Sequence, residues 1–508
     1  MQRRVLGEPA GSRRRKKGAR LSPVLVLFPC GVLLFAGATL VLFSHVQSNA
    51  RRRPLAGVVP PSPLGVPPPP HPQAARSSSR RVVWWHAPFF SGGGMGMEAL
   101  QLVRALQSHT EWRDRVWITS HGDLALEEVY AGLPAETKSQ VARMVGAAGR
   151  ATMDDARHAI IVCHSVPGAW ALPQPLFQTS LCPPLPLGQA AFVVGRAMFE
   201  TDRLTPLHVE RINQMSEVWV PTEFHRRTFT KSGVNASKVV VVPEAVDTHE
   251  FDPQKHRPLA LPLGERVFGP TWPHPSAAGR TTASEPYVFL SIFKWETRKG
   301  WDVLLRAFLS AFTADDNVLL LLSTKPFHSD SNFADRMAGW ARRELGDAAA
   351  DPTRMPSTYV VHEHIAQHTW PRLYKTADCF VLPTRGEGWG LPVVEAMAME
   401  LPVVVTNWSG PTAYLDESVG YPLKVSLLTE VQEGAFKGHR WAQPSVEHLV
   451  HLLRHVAAHR QEAAARGRAA RQRMASEYSP TAVGERVAQQ LRRIDAQLLA
   501  GAEDNGLQ

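Results

Sequence analysis

Arg385-Gly386-Glu387-Gly388-Trp389-Gly390-Leu391-Pro392-Val393-Val394-Glu395-Ala396-Met397-Ala398 sets two carboxylates eight positions apart, with glycines between them and a proline opening a helix-like run. The strand-like Cys379-Phe380-Val381-Leu382-Pro383 comes immediately before it. Pro392 suits the first helical position, where its missing N–H costs nothing. Glu387 then falls on the loop and Glu395 about one turn inside the helix, on the same approach face. The amides of residues 388 to 391 gather at a positive helix N-terminus, a natural place for phosphate. Gly388 and Gly390 allow the backbone to come close to a ligand. Two carboxylates would repel phosphate unless they bind something else, and sugar hydroxyls fit. The outline is that of a nucleotide-sugar site.

Outward from this stretch, strand-like runs recur. Upstream, Tyr287 to Phe293 precedes a helical face of Trp301, Leu304, Leu305, Phe308 and Phe312. Runs at Val318 to Leu322, Tyr359 to Val361, Cys379 to Leu382 and Val403 to Thr406 continue the alternation. An earlier series holds Val82 to Trp85, Ala159 to Cys163, Val218 to Pro221 and Val239 to Pro243. Its first strand leads into Ser91-Gly92-Gly93-Gly94-Met95-Gly96 and a helix from Met97 to Leu106, as in the first βα unit of a Rossmann-like domain. Strand–helix alternation in both halves predicts two parallel, doubly wound sheets. Residues 256–286, rich in Pro, Gly, Ser and Thr and without a clear period, read as a linker or insertion. An Ala/Arg-rich helical tail runs from Ser445 to Leu499.

The net charge of +10 is not a nucleic-acid footprint. Residues 1–53 carry eleven Lys/Arg against Glu8, and the remainder balances 45 basic with 45 acidic residues. The basic residues flank an uncharged run of twenty residues, Val24 to Phe43, about one bilayer core in length. Eight Lys/Arg precede it and three follow, so the tail of residues 1–23 is expected in the cytosol and residues 24–43 form a type II signal anchor. A cleaved signal peptide is the alternative, favoured by Ser48-Asn49-Ala50 but opposed by the length of the apolar run. Nine prolines between residues 51 and 75 make residues 44–81 an extended stem. Cys163, Cys182 and Cys379 follow the anchor and allow at most one internal disulfide, with Cys163–Cys182 the candidate pair and Cys379 a buried thiol.

With these elements in order, the chain resembles the family 4 retaining glycosyltransferases, which carry an E-x7-E signature on a GT-B fold of two Rossmann-like domains. The resemblance also rests on Leu373-Tyr374-Lys375-Thr376-Ala377-Asp378, on Leu401-Pro402-Val403-Val404-Val405 and on Phe293 to Leu305, a basic K…KG-x-D-x-L element. Val241 to Asp247, ending at Phe251-Asp252-Pro253, completes it, and the whole covers roughly residues 82 to 490. It implies an N-terminal acceptor domain at 82–255, a C-terminal nucleotide-sugar domain at 287–475, and a last segment, 476–508, whose helix returns to the N-terminal domain.

The resemblance also implies roles. Lys294 and Lys299 would neutralise the departing diphosphate, with Lys294 standing where most relatives have Arg and Arg298 available to compensate. Gly388, Trp389, Gly390 and Leu391 would line the donor through their backbone. Glu395 would accept the ribose hydroxyls, and Glu387 would act on the donor sugar. His164 ends a strand-like run, where some relatives place a sugar-contacting His; an ordinary hydrogen-bonded role is the alternative. Glu200 and Asp202 either meet the acceptor or, as expected here, pair with neighbouring arginines. No Asp-x-Asp occurs, and His362, Glu363, His364 and His368 lack the H-E-x-x-H spacing, so no metal and no other cofactor is expected. Asn235-Ala236-Ser237 is a candidate glycosylation sequon; Asn407-Trp408-Ser409 adjoins the donor site and is expected to stay unmodified.

The expected function is retaining, metal-independent transfer from a UDP- or GDP-sugar to a lumenal glycan, protein or lipid acceptor. The anchor and stem favour the Golgi membrane, with the endoplasmic reticulum as the alternative. A sugar phosphorylase or a nucleotide-sugar epimerase could reuse the same groups. An inactive sugar-binding homologue should have lost Glu387, Glu395 or Lys299, and all three are present.

Overall fold

In a computed structural model, the residues described are 81–171, 180–272, 286–326, 331–346, 351–363 and 365–506. The tail, the 24–43 anchor and all of the stem but Arg81 lie outside them. Among the described residues, no helix is long and apolar enough to cross a membrane.

Six strands build the first sheet: β1 (Val83–Ala87), β2 (Val116–Ser120), β3 (Ile160–His164), β4 (Phe192–Arg196), β5 (Glu217–Val220) and β6 (Val239–Val241). They lie in the order β2-β1-β3-β4-β5-β6 and every pairing is parallel. β2 and β4 add to the strands read from the sequence. β1 and β3 are buried throughout, as expected of parallel strands covered on both faces. Cys163 and Cys182 are bridged, and Cys379 is a buried thiol.

The second sheet holds β7 (Glu265–Phe268), β8 (Tyr287–Lys294), β9 (Val318–Lys325), β10 (Ser357–Val361), β11 (Cys379–Leu382), β12 (Val403–Thr406) and β13 (Tyr421–Leu423), in the order β13-β12-β11-β8-β9-β10-β7. All pair in parallel except β7, which runs antiparallel to β10. The 256–286 segment is therefore not wholly a linker: Leu259, Leu261 and Leu263 pack on the C-terminal core and β7 edges its sheet. Its short strand escapes periodicity because Glu265 and Arg266 are exposed and only Phe268 is buried. A separate antiparallel hairpin, β14 (Val425–Glu430) with β15 (Arg440–Pro444), leaves the C-terminal sheet.

The final helix, Pro480–Gly506, packs on the first domain. Val483, Val487, Ala488, Leu491 and Ile494 enter the core formed by Val83, Trp85, Leu102, Leu106 and Ile160 of the first domain.

Both sheets reverse their winding direction once. In the first, β1 lies between β2 and β3; in the second, β8 lies between β9 and β11. Ligands of open α/β sheets bind at the carboxyl ends of strands flanking such a switch point. The loops after β8 and β11 are Trp295–Gly300 and Pro383–Gly390, the two segments that the sequence singles out.

Candidate functional site

The loop after β8 is locked to the loop after β11 by a glycine and an arginine. Gly300 has φ +68°, and a Cβ there would sit 1.9 Å from the Pro383 carbonyl oxygen. Only glycine permits both the left-handed backbone and this approach. Arg385 grips Asp302 with two hydrogen bonds, 2.9 and 2.8 Å, and its amide donates to the Arg298 carbonyl at 2.6 Å.

This brings Glu387 against the cations. Lys299 Nζ donates to both Glu387 oxygens, at 2.8 and 2.7 Å. Arg298 Nη1 is 3.6 Å from Glu387 Oε2 and 3.2 Å from Glu200 Oε1 of the first domain. Arg298 also donates to the Gly386 carbonyl at 2.6 Å and to Glu296 at 2.7 Å. Burial alone would raise the Glu387 carboxyl, but Lys299 and then Arg298 outweigh it and hold it below the usual range. Ser409 fixes the loop by accepting from the Glu387 amide and donating to its carbonyl, both at 2.9 Å.

Glu395 is different. It lies half-buried in helix Leu391–Ala398, with Tyr374 Oη donating to its Oε2 at 2.7 Å. Burial, and to a lesser degree Glu250, push its carboxyl up to about 8 against the Tyr374 hydrogen bond. Pro392 occupies the second helical position rather than the first, with Gly390 (φ +101°) as N-cap. The amides of Gly388, Trp389, Gly390 and Leu391 find no acceptor among the described residues. Unpaired donors at a helix N-terminus suit an anion.

The glycines of this loop serve packing as well as approach. A Cβ on Gly386 would lie 2.8 Å from Glu200 Cβ, and one on Gly388 would lie 2.4 Å from the Met198 sulfur. Gly390 meets the Tyr414 hydroxyl instead. The Trp389 side chain is buried against Tyr414 and Tyr478, and Tyr414 Oη donates to its carbonyl at 2.6 Å. Lys294 ends β8 in register with Lys325.

His164 is 1 % exposed: Nε2 meets Glu98 at 3.0 Å and Nδ1 accepts from Trp85 at 3.2 Å. Both ring nitrogens are thus engaged within the first domain, in a buried network where Arg196 Nε also donates to Glu98 at 2.8 Å. Gly93 caps helix Gly94–Gln107, and Gly92 takes φ +69°. Asn235 is exposed and accepts from the Ser237 amide and hydroxyl. Asn407 is exposed too, but Ser409 of its sequon is buried on Glu387. His364 lies outside the described residues, among which no group of three His, Cys, Asp or Glu could hold a metal.

The sequence reading missed Tyr374 as a partner of Glu395, Asp302 as a partner of Arg385, and Ser409 as a clamp. Glu200 and Asp202 do pair with arginines, as read. Yet the partner of Glu200 is Arg298, in the other domain, while Asp202 meets Arg203 at 3.3 Å.

Residues 286–430 match the family model described as "Glycosyl transferases group 1". Mannosylfructose-phosphate synthase of Agrobacterium fabrum is 29 % identical over 126 residues, 25 % of this chain; the chain spans only 26 % of that relative's length. The solved structure of Anabaena HepE with UDP and glucose is 14 % identical, with a TM-score of 0.53, covering 82 % of this chain and all of that one. Sucrose-phosphate synthase from Thermosynechococcus elongatus is 16 % identical, with a TM-score of 0.52 and the same coverage. The chain has an α/β GT-B-like fold, and the segment that matches the glycosyltransferase group 1 family carries both site loops.

Proposed function

We propose that this protein is a retaining glycosyltransferase that moves a sugar from a nucleoside diphosphate sugar to an acceptor bound by the first domain, without a metal ion. One observation carries the reading: at the switch point of the second sheet, Lys299 grips Glu387, four unpaired amides follow it in the chain, and Glu387 and Glu395 are held in opposite electrostatic states. The amides and Lys299 suit a diphosphate whose charge grows as the glycosidic bond breaks. Glu387, kept ionised, suits positive charge developing on the sugar. Glu395, presented by Tyr374, suits the ribose hydroxyls. Arg298 and Lys294 are further cations of this end of the sheet. The HepE structure, a complex with UDP, supports UDP-sugars as the first donors to try.

In this reading the acceptor attacks from the face that the diphosphate leaves, and the departing phosphate takes its proton. The 24–43 anchor and the stem support a Golgi membrane protein with a lumenal catalytic portion.

A screen of UDP- and GDP-sugars, scoring release of the diphosphate with and without EDTA, tests this. Donor turnover that persists in EDTA is expected. Release that requires inorganic phosphate would instead indicate a phosphorylase. A total loss in EDTA, restored by Mg²⁺ or Mn²⁺, would overturn the metal-independent site.

A further inference from the structure

Arg298 and Lys299 are already neutralised by the protein itself. Three carboxylates surround the two cations: Glu387 on Lys299 at 2.7 Å, Glu296 on Arg298 at 2.7 Å, and Glu200 on Arg298 at 3.2 Å. Two positive charges against three negative ones leave this group of five net negative. A strongly anionic diphosphate is repelled by such a group unless a carboxylate departs.

Two of the three cannot easily depart. Glu387 is pinned through its amide and carbonyl by Ser409, and Gly410 also donates to its carbonyl at 2.9 Å. Glu296 lies two residues from Arg298 in the same loop. Of the three, only Glu200 reaches the cations from the other domain.

The loop that carries Glu200 is fastened from two sides. Met198 and Glu200 fit against Gly386 and Gly388, where any Cβ would collide, and Trp408 Nε1 donates to the Glu200 carbonyl at 3.1 Å. Beyond it, the Arg440 amide donates to Asp202 at 2.7 Å, the Asp202 amide donates to the Arg440 carbonyl at 2.8 Å, and Thr201 Oγ1 meets His439 Nδ1 at 3.1 Å. These last contacts come from the β14–β15 hairpin, which otherwise has no part in the second sheet.

We infer that Glu200 is a displaceable counter-ion of the diphosphate site, covering it until loop 198–203 withdraws from residues 386–388 and 438–440. The inference rests on the donor site proposed above. Apparent affinity for a diphosphate is then the intrinsic affinity scaled by the fraction of molecules with Glu200 withdrawn. A residue that positioned Arg298 for the ligand would have the opposite effect when neutralised.

Calorimetric titration of inorganic pyrophosphate, UDP and GDP into wild-type protein and Glu200→Gln decides the sign. The variant should bind pyrophosphate about two- to fivefold more tightly, the scale of a partly exposed ion pair. Nucleoside diphosphates should follow by the same factor. Unchanged or weaker pyrophosphate binding overturns the inference. So does an absence of pyrophosphate binding in both proteins.

A second experiment fixes the loop by combining Thr201→Cys with His439→Cys. The oxidised, cross-linked protein should lose pyrophosphate binding about tenfold or more and regain it on mild reduction, while the same treatment leaves wild type unchanged. Equal binding in both redox states overturns the inference. If pyrophosphate responds as expected but no nucleoside diphosphate or sugar donor binds, the counter-ion stands and the proposed function falls.

Discussion

Glu387 and Glu395 sit on one loop–helix unit and are held in opposite states. The difference predicts opposite behaviour on neutralisation. Glu395 has a raised folded-state pKa, about 8 against 4.5, so the stability it contributes is complete below pH 4.5 and is lost as the pH rises towards 8. Glu395→Gln removes that titration. The variant should match wild type near pH 4.5 and exceed it by about 1–2 kcal/mol at pH 8.5, a discounted figure for a half-buried group. Chemical denaturation at the two pH values measures this, and an equal gap at both would refute the assignment. Its affinity for nucleoside diphosphate should fall nonetheless. Glu387→Gln should do the reverse: kcat should drop on the order of a hundredfold. Diphosphate affinity should hold or rise, because Lys299 loses its competing carboxylate. Steady-state rates and titration with free UDP separate the two outcomes. The carboxylate pair was legible because its spacing is local. Tyr374, Asp302 and Ser409 were not, since each reaches the site from a different element, 21, 83 and 22 residues from its partner.

At the scale of elements, legibility follows burial. β8, β9 and β11, nearly all buried, show in the sequence as continuous apolar runs. β14, half exposed and half polar with no buried side chain, carries no such signal, and β7 has a single buried side chain. Yet the β14–β15 hairpin is what reaches the first domain beside Glu200. The connection between loops is similarly hidden: nothing local announces that Gly300 must pass within a carbonyl's reach of Pro383. Gly300→Ala should therefore cost more than a helix-interior glycine change, at least about 2 kcal/mol from left-handed strain and backbone collision together. Urea unfolding of the variant measures the loss. Activity should fall further than stability, because the same contact sets Lys299 beside Glu387. A variant with wild-type stability and turnover would mean that the loops do not need this approach.

At the scale of the whole molecule, the chain's two ends should behave oppositely under truncation. Arg81 is the first described residue and already belongs to the fold: Nη1 donates to the His158 carbonyl at 3.2 Å, and Nε lies 3.5 Å from Asp495 of the final helix. A protein starting at Ser78 keeps both contacts and sheds the anchor and nearly all the prolines' stem, so it should be soluble with an unchanged melting temperature. Starting at Val83 forfeits one partly exposed ion pair and three hydrogen bonds, including those from Arg115 to the Arg81 carbonyl and from the Ile160 amide to the Val82 carbonyl, about 2–4 kcal/mol in all. Ending the chain at Ser479 is another matter. The lost helix buries Val483, Val487, Leu491 and Ile494 completely in the core of the first domain. At about 1.5–3 kcal/mol per large apolar side chain, these four alone amount to roughly 6–12 kcal/mol. That equals the net stability of a typical domain, about 5–15 kcal/mol. The first domain should consequently unfold or aggregate, although every residue of its sheet remains. The second domain's strands and its buried Trp389–Tyr414–Tyr478 cluster stay within the shortened chain. Limited proteolysis should then yield a resistant fragment beginning near Arg257, and its absence would show that the two sheets fold only together.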